Sequence, residues 1–126
     1  MEQNPVNHSV ARACGQETAF RVMAMLTAAV STLNSAAATA TRLQRLELLC
    51  WQSAKRIEAN INYAISQENN HALSEATGLW TIGVLFPDFP ESAQWRRIGR
   101  RVLESEVSRQ IYDDGSYVHH SMSYHR

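Results

Sequence analysis

The chain has little of what commonly marks a function. It carries no net charge, with 12 basic and 12 acidic side chains among 126 residues. A neutral chain has no broad attraction for nucleic acid or for a membrane surface. No apolar run reaches the ~20 residues that span a bilayer. Residues Met1 to Pro5 lack the basic-then-apolar pattern of a secretory signal, so the chain as given carries no export address and its compartment stays open. Cys14 and Cys50 lie far apart and read as buried free thiols, with a disulfide as the alternative. There is no glycine-rich phosphate loop, no strand pattern, no repeat at fixed period and no motif that calls for a cofactor.

What is present is helical patterning in a length suited to one domain or part of one. Residues 1–13 are polar and irregular, with Pro5 as a breaker. Gln16 to about Asn34 predicts a helix with Phe20, Met23 and Leu26–Thr27 as its buried stripe. Ser35 to Thr41 is a small-residue stretch, either a loop or a frayed end. Arg42 to Gln67 predicts a long amphipathic helix whose apolar face holds Leu43, Leu46, Leu49–Cys50, Ala54, Ile57, Ile61 and Ala64–Ile65. Ala72 to Phe86 is apolar nearly all round, so it belongs inside, and Gly78 and Gly83 there suggest close packing. Pro87 to Pro90 stops one helix and starts the next, which runs from about Glu91 to Tyr112. Its expected stripe is Trp95, Ile98, Val102, Leu103, Val107 and Ile111. Asp113-Asp114-Gly115 signals a turn, and another helix is expected near Ser121. Four amphipathic helices on short connections predict an all-α fold of antiparallel hairpins.

Two polar segments carry the chemistry. One is Asn69-Asn70-His71-Ala72-Leu73-Ser74-Glu75-Ala76; the other is Asp114 to Arg126, which holds His119, His120, Tyr124 and His125. Together they supply an amide, an imidazole and a phenol. Those groups suit removal of a proton beside a carboxylate. Hydrogen bonds to a uronate C6 carboxylate would stabilise the enolate-like intermediate. A base would take the C5 proton and an acid would protonate the departing glycosidic oxygen. Asn70 and His71 fit the carboxylate, and Tyr124 fits the proton transfers. A tyrosine ionises near ~10 unaided, so a nearby cation or histidine is needed to make it a base. Plainer readings stand beside this one. Asn-His at a helix start is often a cap, and the tail histidines His119, His120 and His125 could hold zinc. The stripe Arg96, Arg97, Arg100 and Arg101 reads as a solvated face or as a polyanion-binding face.

Several stretches in order resemble the helical domain of the heparinase II/III-like polysaccharide lyases, a family that includes alginate lyases. They are Cys14 to Arg21, Asn69 to Leu79, Phe86 to Pro90 leading to Trp95, Asp114 to Tyr117, and Ser121 to Arg126. Tyr124 follows Asn70 by 54 positions, about the family's separation between its carboxylate-neutralising residue and its tyrosine. The resemblance implies that residues 14–126 form part of an incomplete (α/α) toroid. It implies that Asn70 or His71 neutralises the uronate carboxylate, and that His71 serves as base for one C5 epimer. Tyr124 would be the acid and, for the other epimer, also the base. Gln16, Glu75 and His120 lie in matching motifs and would line the cleft as substrate-binding residues. The sequence departs from the family at His119, where glutamine is expected, and at Ser123, where asparagine is expected.

The family's remaining toroid helices, its β-sandwich domain, a further site histidine and the structural metal of some members would fall beyond Arg126. The chain is therefore expected to be a piece of a lyase acting on an alginate- or heparin-like uronate polymer by β-elimination, inactive alone. Its expected partners are an acidic polysaccharide and those missing parts, with no nucleic acid, membrane, metal or cofactor. Exposed apolar faces and self-association are expected of such a piece. The alternatives are a non-catalytic helical module that binds acidic glycan or a partner protein, and a helix-packing remnant with no ligand.

Overall fold

The computed structural model describes residues 14–119. The irregular segment 1–13, the helix expected near Ser121, and His120, Tyr124 and His125 lie outside the described residues. Four helices follow one another: α1 Gly15–Thr32, α2 Ala40–Ser66, α3 Asn70–Leu85 and α4 Ser92–Gln110. Among the described residues there is no strand, only an isolated antiparallel bridge between Ile111 and Tyr117. The all-α architecture of helical hairpins expected from the patterning is what forms.

The connections are short because each helix is stopped and restarted by local chemistry. Ser35 to Thr39 is a tight turn, and Thr39 Oγ1 accepts from the Arg42 N–H at 3.3 Å to cap α2. Glu68 adopts a left-handed φ of 51°, which turns the chain out of α2. Asn69 Oδ1 then accepts from the His71 N–H at 2.9 Å and caps α3. Pro87 to Pro90 separates α3 from α4, and Ser92 Oγ donates back to the Phe86 carbonyl.

α3 packs against all three other helices, whereas α1 and α4 share no packing. Its small residues allow this. A Cβ at Gly78 would stand 2.8 Å from the Ala19 Cβ, and one at Gly99 of α4 would stand 2.7 Å from the Trp80 Cβ. The core gathers Ala19, Val22, Cys50, Ala54, Ile57, Leu79, Ile82 and Trp95, all fully buried. Burial pushes the Cys50 thiol up to about 12, aided by nearby Glu47, so it stays protonated. Both cysteines are free; Cys50 is buried as expected, and Cys14 is half-buried. Trp95 Nε1 donates to Glu58 Oε2 at 3.1 Å and Trp51 Nε1 to Glu91 Oε2 at 3.2 Å, fastening α2 to the start of α4.

Packing corrects several expected stripes. In α1 the buried face is Thr18–Ala19, Val22 and Leu26, while Phe20 is 48% exposed and Thr27 is also exposed. The face is set by small residues that admit α3, not by the largest side chains. α3 is central but not covered all round: Trp80, Val84 and Leu85 are exposed, as is Leu43 of α2. In α4, Trp95 and Val102 are buried as expected, but Val107 and Ile111 are exposed. Glu106 and Gln110 take the inward positions instead, because they are held by the polar network described next. No described helix is long and apolar enough to cross a membrane.

Candidate functional site

At one end of the bundle α1 begins, α2 ends, α3 begins and α4 ends. The side chains meeting there are mostly polar and range from buried Glu75 to exposed Asn60 and Tyr63. A hollow of about 230 Å³ is lined by Cys14, Gly15, Arg56, Asn60, Tyr63, Gln67, His71 and Glu75. Arg56, Asn60, Tyr63 and Gln67 recur every three or four positions, so α2 presents them on one face.

Glu75, one turn into α3, is 3% exposed. Its carboxyl lies against the first turn of α1, where a Cβ at Gly15 would collide with it. Burial pushes the carboxyl up to about 7, against the opposing pull of Arg56. Glu75 Oε2 and Arg56 Nε are both buried without a hydrogen-bond partner among the described residues. Gln16 Nε2 donates to Ser74 Oγ at 3.3 Å, and Ser74 Oγ donates to the Asn70 carbonyl at 2.9 Å, which ties α1 to the first turn of α3.

The chain beyond α4 folds back onto this end. Gly115, at φ 81°, makes the turn, with Asp114 Oδ1 accepting from the Ser116 N–H at 2.9 Å. The Val118 N–H donates to the Gln110 carbonyl at 2.8 Å. Gln110 is 2% exposed and joins three pieces of chain. Its Nε2 donates to the Asn69 carbonyl at 3.0 Å and to Glu106 Oε2 at 2.5 Å, and its Oε1 accepts from the Tyr117 hydroxyl at 2.7 Å. Arg109 closes the network with bonds to Glu106 at 2.8 Å and Glu68 at 3.2 Å. His119 Nε2–H donates to the Glu68 carbonyl at 2.9 Å. A carbonyl only accepts, so this bond places the proton on Nε2.

The structure thus brings Gln16, Asn70, His71 and Glu75 to one end, with His71 and Glu75 in the same hollow. Asn69, not Asn70, is the helix cap, so capping leaves the Asn70 amide uncommitted. Tyr124 and His120 lie outside the described residues, but the segment that leads to them is held by His119 to Glu68, two residues before Asn70. Arg56, Tyr63 and Gln110 were not singled out from the sequence. The α2 stripe at 56, 60, 63 and 67 was the signal, masked because an amphipathic helix normally has a polar face. Two of the four stripe arginines are committed within the fold: Arg96 Nη1 donates to the Gly83 carbonyl at 2.9 Å, and Arg100 pairs with Glu104 at 2.7 Å. Among the described residues no group of three or more His, Cys, Asp or Glu side chains could hold a metal ion.

The family described as Heparinase II/III N-terminus matches residues 2–126. The chain belongs to that family. Among similar proteins, a heparin-sulfate lyase of Pedobacter heparinus is 40% identical over 60 residues, which is 48% of this chain and 9% of the relative. A heparin-sulfate lyase of Bacteroides stercoris is 37% identical over 60 residues, again 48% of this chain and 9% of the relative. A third, from Bacteroides thetaiotaomicron, is 32% identical over 72 residues, 57% of this chain and 10% of the relative. The matched stretch therefore spans about a tenth of these relatives' length. No solved structure matches the chain. In this heparinase II/III family member, the stretches Asn69 to Leu79 and Asp114 to Tyr117 that carry the resemblance are both hydrogen-bonded to Gln110, through Asn69 and Tyr117.

Proposed function

We propose that this chain carries the carboxylate-neutralising and proton-transfer residues of a polysaccharide lyase that cleaves a uronate-containing, heparin-sulfate-like polymer by β-elimination. The observation that carries the reading is the meeting of the tail with the start of α3 through Gln110, Tyr117 and His119. Tyr124 follows His119 by five residues, a tether of at most ~18 Å when extended. A tether of that length lets the phenol reach the end of the bundle where Asn70 and His71 sit.

In this reading the Asn70 amide and the His71 imidazole bind the C6 carboxylate and stabilise charge as the C5 proton leaves. Tyr124 protonates the departing glycosidic oxygen and removes the C5 proton from one epimer; His71 removes it from the other. Gln16, Glu75 and His120 form the cleft wall. The family tie and the printed names of the relatives support the substrate class. Elimination creates a conjugated double bond, so ultraviolet absorbance on heparan sulfate reports it directly. The assay is made on this chain and on a longer family member that carries this region. Tyr124→Phe should abolish the absorbance rise in whichever is active, and Asn70→Ala should slow it by about 10²-fold. Undiminished cleavage by Tyr124→Phe would remove the phenol from the mechanism.

A further inference from the structure

We propose that the hollow between α1, α2 and α3 is a binding site for a sugar-borne oxyanion, with Arg56 as the residue that selects it. The inference deepens the lyase reading and rests on it only for the source of the oxyanion. Three observations carry it. First, the wall is rich in donors. Arg56, Asn60, Tyr63, Gln67 and His71 all face the hollow, as does the start of α1, where the N-cap Cys14 makes no side-chain cap bond. The first N–H groups of a helix lack intrahelical partners and favour an anion.

Second, Arg56 Nε is buried with no partner among the described residues. A buried N–H without an acceptor is costly, and a carboxylate or sulfate group can accept from a guanidinium through two oxygens at once. Third, the one acidic side chain in the wall is Glu75, itself 3% exposed with Oε2 unpartnered. Burial in that setting disfavours its charge, which leaves Arg56 unopposed at the wall. A protonated carboxyl also donates a hydrogen bond, so it can bind an anion that its ionised form would repel. The volume of about 230 Å³ accommodates one such group with a few waters, each taking ~30 Å³.

The groups facing Glu75 define the expected pH response. Cys14 lines the hollow with it from the start of α1, Arg56 and Tyr63 from α2, and His71 from its own helix. Glu75→Gln isolates the contribution of the carboxyl.

Binding is measured by calorimetry and by amide chemical shifts on this chain, at constant ionic strength. The probes are sodium glucuronate, sodium sulfate and glucose. At pH 6 at least one anion should bind at least tenfold more tightly than glucose, and the tighter of the two names the source as carboxylate or sulfate. Raising the pH to 8.5 should weaken that binding several-fold in the parent chain, and less in Glu75→Gln. Arg56→Gln should lose at least tenfold, and Arg56→Lys should fall between. Glucose binding as tightly, neither anion binding, or Arg56→Gln binding as the parent chain does would overturn the site. If Arg56→Gln fails to fold, the pH comparison with Glu75→Gln still decides, and an equal pH response in both would count against it. Retained β-elimination without anion binding strikes this inference alone, and anion binding without elimination strikes the lyase reading alone.

Discussion

Where α1 ends and α2 begins, the bundle is lined by Met25, Ala28, Ala29, Leu43, Leu46 and Leu49, around an apolar hollow of about 530 Å³. At the opposite end, where α3 starts and α4 finishes, the inward side chains are Glu75, Glu106 and Gln110. The apolar hollow is lined by α1, α2 and their connection, whereas these polar groups sit on α3 and α4. α4 shows the change within one element: Trp95, Gly99 and Val102 fill its buried face first, and Glu106 and Gln110 fill it last. Burying polar groups costs free energy unless each is hydrogen-bonded. Glu106 and Gln110 meet that condition, whereas Glu75 does so only in part. A fold that concentrates such groups at one end has stability supplied by the rest and chemistry placed where the polar groups converge.

The largest expected effect tests the apolar side of that division. Trp95→Ala removes a fully buried indole and its bond to Glu58, and should cost about 3–5 kcal/mol in urea unfolding. A loss below 1 kcal/mol would show that this face does not hold the bundle together.

Next comes Glu75. Its carboxyl is raised from 4.5 to about 7 in the folded chain, so the folded state holds its proton over a range where the unfolded state has lost it. Stability should therefore fall as pH rises from 4.5 to about 7 and level off above. Glu75→Gln should be more stable than the parent chain by about 1–3 kcal/mol at pH 8, with no gain below pH 4.5. A gain that is constant with pH would assign it to packing instead.

Gln110→Ala removes the bonds that hold the tail to Asn69 and Glu106. A loss of about 1–3 kcal/mol is expected, with faster hydrogen exchange at Ser116 to His119 and little change in α1. The smallest effect should come from Arg100→Ala at an exposed pair with Glu104, about 0.5 kcal/mol or less.

The same division explains what could be read from the sequence. All four helices were legible to within about three residues, since periodicity and the Pro87 to Pro90 break are local signals. Which face of α1 turns inward was not, because Ala19 and Val22 are chosen by the close approach of α3 at Gly78, a tertiary fact. Val107 and Ile111 looked buried on pattern alone; Gln110 displaced them because it bonds to Asn69, 41 residues away, and to Tyr117 of the returning tail. Asn70, His71 and Glu75 were singled out through their motif. Arg56 and Tyr63 were not, since a polar stripe on a long helix ordinarily faces water.

The central claim is that the amide and imidazole at the start of α3 and the phenol at position 124 act on one sugar unit. A crystal structure of the chain with a bound uronate oligosaccharide tests this most directly. The account predicts the carboxylate of one uronate within hydrogen-bonding distance of Asn70 or His71, and the Tyr124 hydroxyl at the adjoining glycosidic oxygen. A sugar bound elsewhere, or a Tyr124 side chain facing away from α3, would contradict it.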